Sequence, residues 1–255
     1  MAPDGLPTSP AESISQTERV VITLRELLLR GNFRPGERLA ELSLVPLLNA
    51  SRTPVRLALE RLSHQGLLEA LPSGGFRVRE FTVAEIWDAI EIRGVLEGTA
   101  ARFAAERLAG EDDLKDLRRS VDALQVITPA DLEVFTRYVE ENARFHRELW
   151  RLSQSPTLVR ALESVSSFPF AEPGALVFGG TQSSPEIHSR YGLLAAEQHR
   201  AIVEAIGNRE GTRAESLARE HSRMARRNLE WALKNLDVLR QLPGASLISR
   251  SGWPE

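Results

Sequence analysis

The chain has 255 residues, which is enough for one large domain or two domains of ordinary size. It is 42% apolar and contains no cysteine, which excludes disulfides and thiolate metal sites, and no apolar run approaches the roughly 20 residues of a membrane span. The net charge of −3 is uneven, because residues 14–80 hold 10 arginines and 7 acidic residues and so carry +3, while the remainder carries −6. A basic N-terminal segment and an acidic remainder indicate that the two parts of the chain have separate functions.

The first 13 residues are rich in proline and serine and lack the basic start and apolar core of a signal peptide. We therefore expect residues 1–13 to form a disordered tail. With no cysteine and no membrane segment, the composition favours a cytoplasmic protein that does not associate with a membrane.

Two short helices are predicted to open the basic segment, residues 14–80. The first runs from Ser15 to Arg30, before the turn residues 31–36, and its apolar side chains are Val20, Ile22 or Val21, Leu24, Leu27 and Leu28. The second lies near residues 40–48 and presents Leu42, Val45 and Leu48. It contains Pro46, which a helix accommodates well only in its first turns.

A third helix is predicted to begin at Ser51-Arg52-Thr53-Pro54, where Ser51 or Thr53 is a candidate cap and Pro54 suits the first helical position. Apolar residues then recur at helical spacing and face inward: Val55, Leu59 and Leu62. Arg52 and Arg56 are left at the opposite, N-terminal end. Guanidinium groups and short hydroxyls there suit phosphates and guanine edges in the major groove of DNA. A solvated surface helix is the alternative that these residues alone leave open.

The basic segment ends in a predicted hairpin. Residues 67–71 and 76–79 flank the turn sequence Pro72-Ser73-Gly74-Gly75. Three short helices followed by a hairpin are typical of a winged helix-turn-helix domain. In that arrangement the third helix enters the major groove, and the hairpin tip touches the neighbouring backbone or minor groove.

From residue 81 to 240 the apolar pattern is helical throughout. Helices are predicted near residues 83–108, 111–126, 129–153, 155–168, 186–207 and 211–239, an antiparallel bundle of about six helices that can enclose a cavity. Its first helix offers an apolar face for a symmetry mate or for the DNA-binding domain: Ile86, Ile90, Val95 and Leu96. Residues 241–255 are expected to form a loose tail. The predicted fold class is thus mostly α, with one small hairpin.

Four side chains of the bundle are candidate metal ligands. Asn142 and His146 stand four residues apart on one helix, and His199 and His221 lie on the two long helices that follow. Three imidazoles and one amide oxygen form a donor set for a divalent metal with positions left open for a ligand; zinc, nickel and manganese all fit it. Unrelated core or surface histidines are the alternative that the spacing leaves open.

Several of these stretches resemble a known family. Three stretches resemble the DNA-binding domain of GntR-family transcriptional regulators: Arg38 to Leu48, Ser51-Arg52-Thr53-Pro54-Val55-Arg56 and Gly66-Leu67-Leu68. Four further stretches resemble the FCD ligand-binding domain of the FadR-like branch: Glu91-Ile92-Arg93 with Leu96-Glu97, Phe145-His146-Arg147 with Leu149, His199-Arg200-Ala201-Ile202 with Ala205-Ile206, and His221. The resemblance covers Ser15 to Leu239, and six rather than seven C-terminal helices favour the VanR-type subgroup.

The resemblance implies a homodimer that reads a short inverted repeat in double-stranded DNA, with a small metabolite changing its affinity, most simply as a repressor. The positions that match the family's DNA contacts are Ser51, Arg52, Thr53 and Arg56 in the recognition helix and Gly74 and Gly75 at the wing tip. Leu42 stands where some members place a DNA-contacting arginine, so the operator cannot be carried over from those members.

The resemblance also implies a metal centre, because the three histidines match the FCD metal ligands. The family's fourth ligand is commonly an aspartate, and this chain has Asn142 in its place. A neutral amide is a weaker donor and removes one negative charge from the site. We therefore hypothesise that a small carboxylate effector completes the coordination of a divalent metal, zinc first and nickel or manganese next. Arg93 is the candidate partner for the effector's far end, or equally a structural partner for Glu97.

Two other classes of function compete with this interpretation. A helical metalloenzyme with an accessory DNA-binding-like domain predicts an H-E-x-x-H or paired E-x-x-H motif, and the three histidines lie in neither. An architectural DNA-binding protein without an effector leaves the histidines unexplained.

Overall fold

The computed structural model describes residues 15–126, 132–175, 185–240 and 242–249. The chain divides into two compact units, one ending at Arg79 and the other beginning at Glu80. The tail predicted at residues 1–13 lies outside the described residues. Within the described ranges, no helix combines the length and the apolar character needed to cross a membrane.

The first unit is a winged helix-turn-helix domain, as predicted. Its elements are α1 (Gln16–Leu29), β1 (Arg38–Leu39), α2 (Glu41–Leu47), α3 (Arg52–His64), β2 (Leu68–Ala70) and β3 (Phe76–Val78). The strands form an antiparallel sheet in the order β1-β3-β2, with Leu68 opposite Val78 and Leu39 opposite Phe76. The two-residue strand β1 was not predicted, because so short a strand has no recognisable alternation.

Helix α1 begins where the sequence indicates. The Ser15 hydroxyl accepts a hydrogen bond from the Glu18 N–H at 3.1 Å and so caps the helix. The side chains buried on its inner face are Val20, Val21, Leu24 and Leu28. Ile22 is 45% exposed, so the structure selects Val21 from the two alternatives.

The inner face predicted for α2 is wrong at one of its three residues. Val45 and Leu48 are half-buried, but Leu42 is 67% exposed, and the fully buried leucine is Leu44. A helix of seven residues makes only two turns, so its apolar pattern does not determine which face is buried. Pro46 is the sixth residue of this helix and not in its first turn, so the hydrogen bond that an N–H at this position would donate to the Leu42 carbonyl is not made; the helix ends one residue later.

The start of α3 also differs in detail from the prediction. Ser51 occupies the cap position, but its side chain makes no capping hydrogen bond. Pro54 is the third helical residue, not the first. It is tolerated there because the N–H groups of the first helical turn have no partner within the helix.

In the described ranges, the second unit is built on six long helices, as predicted. The last of them was expected to run to residue 239 but ends at Lys234, and one short helix follows it. The helices are α4 (Val83–Arg107), α5 (Lys115–Val126), α6 (Leu132–Leu152), α7 (Pro156–Ser166), α8 (Pro185–Gly207), α9 (Gly211–Lys234) and α10 (Leu236–Leu239), with 3-10 turns at Glu111–Leu114 and Ala245–Leu247. A capping box of Thr82 and Glu85 starts α4. The core combines small residues of α4, such as Ala101 and Ala105, with Phe145 of α6 and Ile206 of α8.

The apolar face predicted for docking on α4 is corrected by the structure. Ile86 and Ile90 are 0% and 2% exposed, so they are core residues and are not available to a symmetry mate. Val95 is 40% exposed, and Ile92, which the prediction omitted, is 53% exposed. The helix is apolar on more than one side, so its pattern alone does not separate a core face from a free one.

The loose tail expected from residue 241 is contradicted over residues 242–249. Gly244, with φ of 88°, turns the chain into the 3-10 helix, and Leu247 is fully buried. The Phe81 N–H donates to the Leu247 carbonyl at 2.8 Å, and the Ser249 N–H donates to the Phe81 carbonyl at 2.7 Å. Apolar side chains at positions 247 and 248 anchor this segment in spite of its glycine, serine and proline content.

Candidate nucleic-acid interface and metal centre

The N-terminal end of α3 presents the residues expected to contact DNA. The Arg52 and Arg56 side chains are 69% and 67% exposed, and Ser51 and Thr53 are also exposed. The opposite face of the helix is fully buried through Val55, Leu59 and Leu62. Burial of that face fixes the orientation of α3 and therefore directs both guanidinium groups to solvent.

Two carboxylates that the sequence analysis did not single out contact these arginines. Arg56 Nε lies 3.0 Å from Glu60 Oε1 on the same helix, and Arg52 Nη2 lies 3.9 Å from Glu41 Oε2 at the start of α2. The hydrogen bond and charge of Glu60, followed by the charge of Glu41, raise the pKa of Arg56. The four side chains line an open concavity of about 430 Å³ together with Thr53 and Leu57.

The wing tip is built by two consecutive glycines. Gly74 and Gly75 have φ of 83° and 87°, a region that other residues rarely adopt. The Gly74 N–H donates to the Leu71 carbonyl at 2.9 Å, and the Leu71 N–H donates to the Gly75 carbonyl at 3.0 Å. Arg38, which sequence reasoning did not assign to the wing, donates from Nη2 to the Gly74 carbonyl at 2.8 Å.

In the second unit, the structure brings the three predicted histidines together. His146 of α6, His199 of α8 and His221 of α9 are all buried, and one ring nitrogen from each lies within 4.8 Å of the other two. The Nε2 atoms of His199 and His221 are 2.9 Å apart. Phe145 packs against the His199 ring with its centroid at 4.0 Å, which holds that ring in place.

Hydrogen bonds orient two of these imidazoles. His146 Nδ1 lies 2.7 Å from Glu97 Oε1, and His221 Nδ1 lies 3.0 Å from Gln198 Oε1. A carboxylate and an amide oxygen are acceptors, so each Nδ1 carries a proton, and in the neutral form of such a ring Nε2 is the atom that keeps a lone pair. An acceptor behind the ring nitrogen is the usual arrangement for a histidine that binds a metal.

Glu97 is the centre of this hydrogen-bonded network. Its Oε1 also accepts from Trp150 Nε1 at 3.2 Å, and its Oε2 accepts from the Ser222 hydroxyl at 2.8 Å. Burial alone would raise the pKa of Glu97, but the charges of His146 and Arg93 and the hydrogen bonds together hold it below its ordinary value. The side chain is therefore an anion inside the protein.

The imidazoles of His199 and His221 are neutral at neutral pH. Burial, followed by the charges of His221 and His146, lowers the pKa of His199 well below its ordinary value. Burial, followed by the charge of His146, lowers the pKa of His221 to about 3. Neutral imidazole is the form that ligates metals, so the residues present fit a divalent cation.

Asn142 and Arg93 are both buried near this cluster. Asn142 is 5% exposed and lies one turn before His146 on α6; its Nδ2 would be 3.3 Å from a Cβ placed on Gly174. Arg93 is 3% exposed, with Nε 3.8 Å from Glu97 Oε2. Its Nε and Nη1 have no hydrogen-bond partner in the part of the chain that the structure describes.

Sequence reasoning missed the residues that support the histidines: Trp150, Gln198, Ser222 and the role of Glu97 as their common acceptor. Trp150 lies four residues after His146, and Gln198 and Ser222 each adjoin a histidine in the chain. Proximity in sequence was the available signal, but the contacts themselves join different helices and depend on packing.

Comparisons with known proteins agree with both parts of this architecture. The family described as "Bacterial regulatory proteins, gntR family" matches residues 16–78, and the FCD domain matches residues 88–224. In the solved structure of Escherichia coli McbR/YncC, the whole chain aligns with 88% of this one, with a TM-score of 0.61 and 23% sequence identity. A putative GntR regulator from Rhodococcus sp. RHA1 aligns over 84% of this chain with a TM-score of 0.55.

Relatives of known name are regulators of operons. The Nta operon transcriptional regulator of Aminobacter aminovorans is 33% identical over 53% of this chain, and the match spans 62% of that regulator. The probable D-xylose utilization operon transcriptional repressor of Paenarthrobacter nicotinovorans is 29% identical over 70% of this chain and 73% of its own length. These names are those of transcriptional regulators and not of enzymes, and the two domain matches together show that the chain belongs to the gntR family of bacterial regulatory proteins, in the branch that carries an FCD domain.

Proposed function

We propose that this chain is a homodimeric repressor that binds an inverted-repeat operator in double-stranded DNA, and that its FCD domain binds a divalent metal and a small carboxylate that control this binding. The observation that carries the proposal is the convergence of three buried imidazoles in a chain that also carries a winged helix-turn-helix domain. Relatives named as operon repressors support the direction of control.

For DNA, the proposal assigns base contacts to Arg52 and Arg56, which are exposed at the N-terminal end of α3. Arginine pairs with the O6 and N7 atoms of guanine in the major groove. The hydroxyls of Ser51 and Thr53 would contact phosphates, and Gly74 and Gly75 would let the wing backbone approach the duplex. A twofold dimer places two recognition helices about 34 Å apart, one turn of duplex.

For the metal, the proposal assigns His146, His199 and His221 as ligands and the Asn142 side-chain oxygen as the fourth. Zinc is the first choice, with nickel or manganese next, because imidazole and amide donors suit all three. When bound, the cation would supply a fixed positive charge that attracts an anion. All four protein ligands are neutral, so that charge is not cancelled by the ligands themselves.

For the effector, the proposal assigns Arg93 to the far carboxylate or hydroxyl group of a small organic acid. Among the described residues, Nε and Nη1 of this buried guanidinium have no acceptor, which supports a role for Arg93 beyond pairing with Glu97, from which it stands 3.8 Å away. Glu97 balances the arginine's charge in the absence of ligand. A ligand oxygen would supply the missing hydrogen bonds.

The proposal is tested by selecting duplexes from a random pool with the purified protein and measuring its metal content and mass in the same preparation. We expect a dimer, about one zinc per chain, and an enriched inverted repeat whose affinity changes when the metal is chelated or when lactate, malonate or succinate is added. Arg52→Ala and Arg56→Ala should each weaken operator binding by ~1–3 kcal/mol without loss of helix.

His199→Ala should lower both the metal content and the thermal midpoint, because metal bound to the folded state alone stabilises it. His64→Ala is the matched control, since His64 is an exposed histidine at the end of α3. Full metal content in the His199 variant would remove this residue from the site, and operator binding that no metal or acid alters would overturn the proposed control.

A further inference from the structure

We propose that Glu41 and Glu60 are specificity-determining residues of the DNA interface, which hold the two recognition arginines in the free protein and disfavour binding to phosphates alone. This inference rests on the proposed function, because it concerns how the same helix discriminates between an operator and other DNA. It adds two acidic residues to an interface so far assigned only to basic, hydroxyl-bearing and glycine residues.

The geometry pairs each arginine with one carboxylate. Glu60 follows Arg56 by one turn of α3 and accepts from its Nε at 3.0 Å. Glu41 is the first residue of α2, and its Oε2 lies 3.9 Å from Arg52 Nη2. The carboxylates therefore line the concavity at the N-terminal end of α3, where a nucleic acid would bind, and they lie beside the two arginines that would contact the nucleic acid.

The charges of these four side chains cancel. Two free guanidinium groups at the end of a helix would attract any phosphate backbone, whatever its base sequence. Non-specific binding to DNA comes almost entirely from such phosphate contacts and from the counterions that they release. A carboxylate within 4 Å of each arginine repels phosphates at the same place, so it weakens the sequence-independent part of the affinity.

The same carboxylates are compatible with a base edge. Glutamate accepts a hydrogen bond from the N4 amino group of cytosine in the major groove, while arginine donates to guanine. Exposed ion pairs contribute little to folding stability, so each arginine can leave its carboxylate when a suitable base is present. Leu57, 46% exposed in the same concavity, adds an apolar surface for a thymine methyl group. The combination favours base contacts over phosphate contacts.

The test compares Glu60→Gln and Glu41→Gln with the wild-type chain on two labelled duplexes, one of random sequence and one enriched by the wild-type chain from a random pool. Each substitution removes a charge and keeps the side chain's shape. We expect affinity for the random duplex to rise about threefold to tenfold, with a salt dependence steeper by about 0.9 in the log–log slope. Affinity for the enriched duplex should rise less or fall, so the ratio between the two duplexes should drop at least about threefold.

Glu26→Gln is the matched control, because Glu26 forms a similar i,i+4 pair with Arg30 at 3.4 Å on α1 and lies outside the concavity. The same rise in this control would mean that net charge alone is responsible and would overturn the inference. An unchanged ratio in both Glu41 and Glu60 variants would also overturn it, while leaving the proposed function intact. A wild-type chain that enriches no duplex would instead refute the proposed function, and this inference with it.

Discussion

Glu97 accepts hydrogen bonds from His146, Trp150 and Ser222, and all three donors lie on helices other than its own. A carboxylate that accepts from Nδ1 fixes both the tautomer and the ring plane of His146, leaving Nε2 available. Its negative charge is retained in the interior because Arg93 and these donors offset the cost of burial. Glu97 would thus support the proposed metal centre without being one of its ligands.

Glu97→Gln should weaken zinc binding by roughly tenfold to a hundredfold, because the amide no longer presents two acceptors to these donors. The affinity is measured by competition with a chromophoric chelator. Ser222→Ala, which removes one donor to Oε2 and spares the His146 contact, should have a smaller effect. Glu215→Gln is the control, since Glu215 pairs with Arg102 between the same two helices at 3.0 Å. Equal affinities for the Glu97 variant and the control would contradict this role.

Tyr138 gives a second prediction at this scale, through pH. Burial raises the pKa of its phenol to about 12 in the folded protein, compared with about 10 for an exposed tyrosine. The folded state therefore favours the neutral phenol: this contribution to stability is complete below pH 10 and is lost as the pH rises towards 12. Between these values wild type should lose more stability in urea unfolding than Tyr138→Phe, which has no proton to release. Parallel losses in the two proteins would contradict the prediction.

At the residue scale, the sequence predicted which histidines come together better than it predicted what surrounds them. Histidines are rare here, five in the whole chain, and their resemblance to a known ligand set singled out three. The contact between Glu97 and Ser222 joins residues 125 positions apart. No local pattern encodes such a contact, because it exists only after α4 and α9 have packed.

Helices α4 and α9 form the most extensive contact between elements of the second unit, and glycines make it possible. A Cβ at Gly98 would lie 2.6 Å from Arg219 Cγ and 3.0 Å from the Glu215 carbonyl. A Cβ at Gly94 would lie 3.0 Å from Ser222 Cβ. Because the two backbones approach closely, Ser222 and His221 of α9 lie near Glu97 of α4, so the glycines help to position the site.

Gly98→Ala should therefore destabilise the helical unit by about 1–3 kcal/mol, through overpacking at this contact. A loss of stability would be informative, because in an exposed helix the same substitution should stabilise the protein: alanine is more favourable there than glycine by ~1 kcal/mol. The change in the free energy of unfolding is measured by urea denaturation monitored by circular dichroism. Gly110→Ala is the control: Gly110 precedes the 3-10 turn in extended backbone and has no atom within 4 Å of an added Cβ. A Gly98 variant as stable as this control would refute the packing role.

At the element scale, the length of a helix or strand decided whether it could be predicted. The helices α4 to α9 each repeat their apolar pattern over three turns or more, and six long helices were expected and are present in the part of the second unit that the structure describes. In the seven-residue helix α2, Leu42 was predicted to be buried where Leu44 is, and the two residues of β1 were missed. The segment 242–249 was misjudged because composition indicates a loose chain, whereas two apolar residues and the backbone of Phe81 are sufficient to anchor it.

For the whole molecule, the proposed function joins a basic unit that binds DNA to an acidic unit that binds a metal and an acid. Such control requires that the ligand binds more tightly to one arrangement of the protein than to another. The coupling is then a free energy shared by the two sites, and it is reciprocal. Zinc and duplex must each change the other's affinity by the same factor, whichever direction regulation takes.

We expect this factor to lie between about 5 and 150, the range usual for coupled sites. It is measured twice: as the affinity for the enriched duplex at two buffered levels of free zinc, and as the zinc affinity with and without saturating duplex. A variant with Arg52→Ala and Arg56→Ala together is the control, since duplex should no longer alter its zinc affinity. A common factor different from one that disappears in His199→Ala supports control through the three histidines. The same factor in His199→Ala would show that zinc acts on DNA binding through another site, and a factor of one in both measurements would separate the two units functionally.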